Sequence, residues 1–273
     1  MRLVTYAVKS EPSRVGILTG EGVSPTRYAS MLDLIASGSL PAATADAIPQ
    51  SEARLLAPVP SPGKLLFCGV NYASHKNENP AAVLPVEPFF FSKLPSAVIG
   101  PNAPIRIPTP ASQVDYEVEL AMVIGKTGRR ISREGALEYV YGYTVINDVS
   151  GRDVQFKDNQ ITLGKGFDTF APMGPCIVTA DEIPDPQALN VSTFVNGHQR
   201  QGETTANMLF SIATILEFVS RHITLHPGDI VTSGTPAGVG CFMKPPGYLS
   251  DGDVVHVEVD AIGRLSNPVI AGW

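Results

Sequence analysis

Residues 115–125 read DYEVELAMVIG, and this stretch decides the fold. It alternates through Asp115-Tyr116-Glu117-Val118-Glu119, then turns wholly apolar over Leu120–Ile124. That pattern predicts a strand entering a core that covers both of its faces. Residues i and i+2 of a strand share a face, so Glu117 and Glu119 point the same way. Either that face is wet, or something positive sits against two carboxylates that are costly to bury alone.

The chain around this strand has 273 residues and a formal charge of −6, with 44% hydrophobic and 17% charged residues. Enough apolar mass is present to offset chain entropy, which excludes a disordered chain. A mildly acidic chain without clustered Lys and Arg excludes a nucleic-acid partner. No apolar run approaches the roughly 20 residues that span a bilayer, so no membrane partner is expected. The first residues, MRLVTYAVKSEPSR, contain no apolar segment of the secretory kind, and the cytoplasm is the expected location. Cys68, Cys176 and Cys241 are far apart in apolar settings, and all three read as buried small hydrophobes.

With 25 Gly and 24 Pro between Val- and Ile-rich runs, the chain reads as α+β and β-rich, with many tight turns. Two short strands open it, and residues 26–37 show helical spacing. A Pro- and Ala-rich linker follows, ending at LLAPVPSPGK, and it places a boundary near Ser61. This divides the chain into a small N-terminal α/β domain with its linker (1–61) and a larger domain (62–273). In the larger part a helix is expected over Ser132–Val140, capped by Ser132. The strongest amphipathic helix runs from Met208 through Ile212, Ile215, Leu216 and Val219, and a hairpin lies near the C-terminus.

Asp148 stands where an apolar strand, Tyr143–Ile146, becomes a loop, a common support for catalytic groups. Glu117, Glu119 and Asp148 would form an all-oxygen set suited to Mg²⁺, Mn²⁺ or Ca²⁺. Lys165 lies between two glycines, either as a buried ammonium with close backbone around it or as a solvated loop lysine. His75 and Glu78 share a face if their segment is helical, giving either a general-base dyad or an exposed polar turn. The Gly-rich loop holding Thr235 offers a hydroxyl and backbone N–H groups to an anion, or is only a tight turn. Tyr72 and Lys93 lie near these groups in sequence and are candidate contacts to the carboxylates of a substrate, with Tyr72 counted among the substrate-binding residues, and Lys93 reads equally well as a surface residue. His198, His222, His226 and His256 have no partner at ligand spacing.

Five segments occur in an order that is itself specific: GVNYASHKNE, DYEVELAMVIG, GYTVINDVSGRDVQ, GKGFDTFAPMGP and DIVTSGTPAGVG. Together, over residues 62–270, they resemble the fumarylacetoacetate hydrolase family. The resemblance implies a mixed β-sheet roll with a site at one end, a homodimer, and Mg²⁺ (Mn²⁺ or Ca²⁺ in some members). It matches Glu117, Glu119 and Asp148 to metal ligands and Lys165 to the active-site lysine. His75 and Glu78 match the dyad of a lid that continues over residues 79–88. Arg152 and Gln155 match positions near the substrate, and Thr235 a contact to its carboxylate.

The implied substrate is a small 2-oxo acid. The expected reaction is metal-dependent hydrolysis of a C–C bond in a 2,4-dioxo acid, as in aromatic catabolism, with His75 activating water and a pyruvate enolate leaving. Decarboxylation of an oxaloacetate, or hydration or isomerisation of a 2-oxo-alkenoate, would use the same charge pattern. A non-catalytic acid-binding scaffold fits less well, because every catalytic position is filled.

Overall fold

A computed structural model describes residues 1–78, 83–109 and 111–272. Residues 79–82, within the segment read as a lid, lie outside the described residues. The fold is the expected β-rich α+β architecture, built on an eleven-stranded sheet and a five-stranded sheet among the described residues.

Val118–Ile124 is buried at every position and lies inside the larger sheet. It pairs antiparallel with Val140–Asn147 on one side and with Ile230–Thr232 on the other. Its alternation divides the interior. Leu120, Met122 and Ile124 join one apolar cluster, which also holds Ile215 and Leu216 of the helix Ile212–His222. Ala121 and Val123 join a second cluster with Phe67, Ile146 and Ile230. Glu117 and Glu119 share the face of Ala121 and Val123.

Register then does what spacing alone cannot. Val118 lies opposite Asn147, and Asp148 N donates to Glu117 O at 2.8 Å. The end of one strand is therefore set beside the start of its neighbour, and Asp148 arrives next to Glu117.

The opening strand Arg2–Val8 pairs with Ala171–Thr179, so the N-terminal strands extend the large sheet. The stretch read as linker contains the strand Ala53–Leu56, which pairs with Arg2–Val8, and Thr5 Oγ1 donates to Pro58 O.

Three helical expectations need correction. The helix expected over 26–37 is only Met31–Ala36 with Ser30 as N-cap, because Thr26 and Tyr28 spend their backbone groups on Val15. Ser132–Val140 forms only a 3₁₀ turn, Ala136–Tyr139, whose last carbonyl accepts from Gly125 N. Met208 precedes the helix Ile212–His222, because Ser211 Oγ caps Thr214 N and Met208 bridges to Tyr72. Cys68 and Cys176 are buried as read, but Cys241 is only partly so. It lies on the wall of the cavity described next.

Candidate active site

Glu117, Glu119 and Asp148 converge, each offering an oxygen within 4.8 Å of the others, and all three are buried. Three cations surround them. Lys165, at the end of the short helix Ile161–Lys165, donates to Glu117 Oε2 at 2.8 Å and to Asp148 Oδ2 at 2.6 Å. Arg152, first residue of the single-turn helix Arg152–Gln155, reaches Glu117 Oε1 and both bonds and pairs with Asp115. Lys93 lies 2.6 Å from Asp148 Oδ1 and donates to Val149 O and Phe170 O.

The cations sort the carboxylates. Burial works against ionising Glu117, but Lys165 and then Arg152 outweigh it and hold that carboxyl well below the usual range. Glu119 makes no ion pair among the described residues. It accepts from Gly234 N at 3.1 Å, and burial, with Asp148 and Glu117 beside it, pushes its pKa well up. Gly234 is needed there: its φ is +82°, and a Cβ would stand 2.9 Å from Asn71 Cβ. Burial pushes Lys93 down to about 8.

Three converging carboxylate oxygens, one of them on a residue with no ion pair among the described residues, fit a hard divalent cation. Glu117, Glu119 and Asp148 would hold it. The cluster opens into a cavity of about 270 Å³, whose wall includes His75, Arg152, Gln155, Lys165 and Thr235.

A family model described as the fumarylacetoacetate (FAA) hydrolase C-terminal domain matches residues 64–270. The chain belongs to the fumarylacetoacetate hydrolase family. It is 42% identical to the mitochondrial oxaloacetate tautomerase of Xenopus laevis, over 99% of this chain and 90% of that one. The fumarylacetoacetate hydrolase from Exiguobacterium antarcticum has a TM-score of 0.89 and 40% identity, covering 99% of this chain and 100% of that one. A 5-carboxymethyl-2-hydroxymuconate delta-isomerase from Mycobacterium smegmatis has a TM-score of 0.85 and 37% identity, over 99% and 100% of the two chains. Among the described residues no helix is long and apolar enough to cross a membrane.

The segment read as carrying a dyad forms a single helical turn, His75–Glu78. Both His75 ring nitrogens face acceptors: Nδ1 lies 3.1 Å from Glu78 Oε2 and Nε2 lies 2.7 Å from Thr235 O. Two acceptors are best met by two N–H groups, so this geometry favours the imidazolium. Burial lowers the His75 pKa, but the bond to Glu78 and the charge of Glu117 outweigh it and raise it above the ordinary 6.5. Gly238 N donates to Glu78 Oε1 and Ala237 N to Ser74 Oγ, completing a latch between this turn and the Thr235 loop.

A raised histidine pKa stabilises the fold below 6.5, and that stability is lost as pH rises through the raised value. Melting curves from pH 6 to 9 should therefore show wild type losing more stability than His75→Gln over that upper range. Parallel curves would show that the latch does not depend on charge.

The structure gathers His75, Glu78, Arg152, Gln155, Lys165 and Thr235 with the three carboxylates. It does not bring Tyr72 to the cavity wall. Tyr72 is fully buried, and burial and the charge of Glu119 push its pKa up. Lys93, read as evenly balanced between site and surface, is buried at the site.

Two residues escaped the sequence reading. Asp115 binds Arg152 and accepts from the N–H groups of Gly240 and Cys241. Gln201, from the other sheet, accepts from Val118 N and donates to Thr235 Oγ1 and Pro236 O. The alternation of DYEVE pointed at Asp115, which shares the parity of Glu117 and Glu119. Nothing local marks Gln201.

Proposed function

We propose that this protein interconverts the enol and keto forms of a 2-oxo acid, with oxaloacetate the first compound to test. The observation that carries this reading is the pair of acceptors, Glu78 Oε2 and Thr235 O, that face the two ring nitrogens of His75. A ring donating through both nitrogens is poised to give a proton to carbon, whereas activation of water requires it neutral. The likeness to the Xenopus laevis tautomerase over nearly the whole chain supports the same reading.

A divalent cation, Mg²⁺ by preference or else Mn²⁺ or Ca²⁺, would supply Lewis-acid polarisation of the keto oxygen. Around it, Arg152, Gln155 and Thr235 orient the acid on the cavity wall, and Lys165 meets negative charge as it develops. Glu78 holds the His75 ring in place. When Nε2–H leaves Thr235 O, Nε2 passes its proton to the carbon beside the keto group, while the enol O–H gives its own proton to solvent water, and the neutral imidazole takes one back from solvent before the next turnover, so the proton count is conserved.

C–C hydrolysis of a 2,4-dioxo acid is the second reading, and the contact between His75 and Glu78 favours it. The two differ in pH dependence. A proton-donating His75 makes kcat/KM for ketonisation fall as pH rises through its raised pKa. A water-activating His75 makes hydrolysis rise over the same range.

The test follows the loss of enol absorbance when enol oxaloacetate is diluted from dry solvent into buffer with MgCl₂ or EDTA. A coupled lactate dehydrogenase assay reports pyruvate, and acetylpyruvate runs in parallel. Metal-dependent decay without pyruvate supports tautomerisation. Pyruvate from oxaloacetate indicates decarboxylation, and pyruvate from acetylpyruvate indicates hydrolysis. The family match beginning at residue 64 supports a domain boundary near Ser61, and we take the assembly to be a homodimer.

A further inference from the structure

The cavity changes character along its length. Its inner end holds the carboxylates and their cations. Phe91 marks the division, because Lys165 Nζ lies 5.0 Å from its ring centroid. From there an aromatic row leads outward, with Phe89 6.4 Å from Phe91. The Phe89 ring lies directly on backbone, since a Cβ on Gly69 would come within 2.4 Å of it. Phe156, Ile161 and Phe242 close the outer wall from other segments. Phe156 is 60% and Phe89 49% exposed, an uncommon placement for two large rings unless something covers them.

The outer end has no cation to spare. Among the described residues, the cationic side chains on the wall are His75, Arg152 and Lys165. Each is already committed, to Glu78 and Thr235 O, to Asp115 and Glu117, and to Glu117 and Asp148 respectively. A second carboxylate projecting outward would meet aromatic and aliphatic side chains without a partner.

Resting on the tautomerase reading, we propose that the preferred substrates are 2-oxo acids bearing an aryl or branched alkyl group on the carbon beside the keto group. Phe89, Phe156 and Phe242 set that preference. A dicarboxylate such as oxaloacetate is accepted at the inner end and poorly served at the outer one.

The experiment compares enol phenylpyruvate with enol oxaloacetate, each with MgCl₂, in wild type and Phe156→Arg. Phe156 is exposed and the substitution leaves the inner end intact, so folding is checked simply by its melting temperature. Covering an aryl group is worth roughly 10-fold or more in kcat/KM for phenylpyruvate. Phe156→Arg should cut that ratio at least about 10-fold, by adding a cation where the wall has none. Equal use of both enols by wild type, or an unchanged ratio in the variant, overturns the inference.

Binding separates it from the function on which it rests. If neither enol is accelerated, the tautomerase reading fails. The specificity inference then stands if phenylpyruvate with MgCl₂ raises the melting temperature more than oxaloacetate does, and falls if it does not.

Discussion

Glu119→Gln should abolish the rise in melting temperature caused by MgCl₂, and should lower kcat/KM by at least ~10²–10³-fold. Loss of a divalent cation removes several kcal/mol of transition-state stabilisation, and each ~1.4 kcal/mol is a factor of ten. The same substitution should make the metal-free protein more stable at neutral pH. Glu119 is buried with no ion pair among the described residues, and its pKa is raised. A carboxyl whose folded pKa is raised costs stability above its unfolded pKa, and the cost grows until the raised value is reached. Glutamine removes that cost and still accepts from Gly234 N. The paired result, a higher melting temperature without metal and no response to metal, is what differential scanning fluorimetry should show. A variant that melts lower than wild type without MgCl₂ would mean that Glu119 is held by something other than a missing cation. A variant that still responds to Mg²⁺ would place the ion elsewhere.

Arg152→Met should destabilise the protein by about 3–5 kcal/mol, the usual result of removing one partner from a buried ionic cluster. In a chain of this size that is on the order of 10 °C in melting temperature. Arg152 bonds two carboxylates on different segments, and Asp115 in turn accepts from Gly240 and Cys241. Losing the guanidinium leaves Asp115 without its counter-charge, while Glu117 keeps Lys165. Lysine should rescue poorly, because one ammonium cannot reproduce the fork that meets Asp115, Glu117 and Gln155 together. Asp115→Asn made alone and with Arg152→Met completes a double-mutant cycle. The double variant should lose clearly less than the two single losses added together, since the second change neutralises the charge stranded by the first. Strict additivity would mean that the two residues act independently despite their contact.

The chain's local pattern determined much of this protein. The alternation of DYEVE followed by LAMVI specifies a strand buried on both faces with two carboxylates on one of them, because side-chain direction in a strand has a period of two. His75 and Glu78 were legible for a similar reason, since three residues span one helical turn. Turn chemistry and apolar periodicity marked the β-rich α+β class. Where local pattern failed, a distant partner had claimed the backbone: Val15 for residues 26–28, and Tyr72 for Met208.

Only the tertiary structure decided how the charges are shared. Register against Val140–Asn147 sets Asp148 beside Glu117, and three separate segments deliver Lys93, Arg152 and Lys165. Which carboxylate makes no ion pair among the described residues depends on distances between these segments, and so does the second acceptor facing His75, a carbonyl 160 residues away at Thr235. Gln201 and the aromatic mouth of the cavity belong to the same category. Electrostatic interaction falls with distance in space, not along the chain, so a sequence can name the ionisable groups while only the fold assigns their partners.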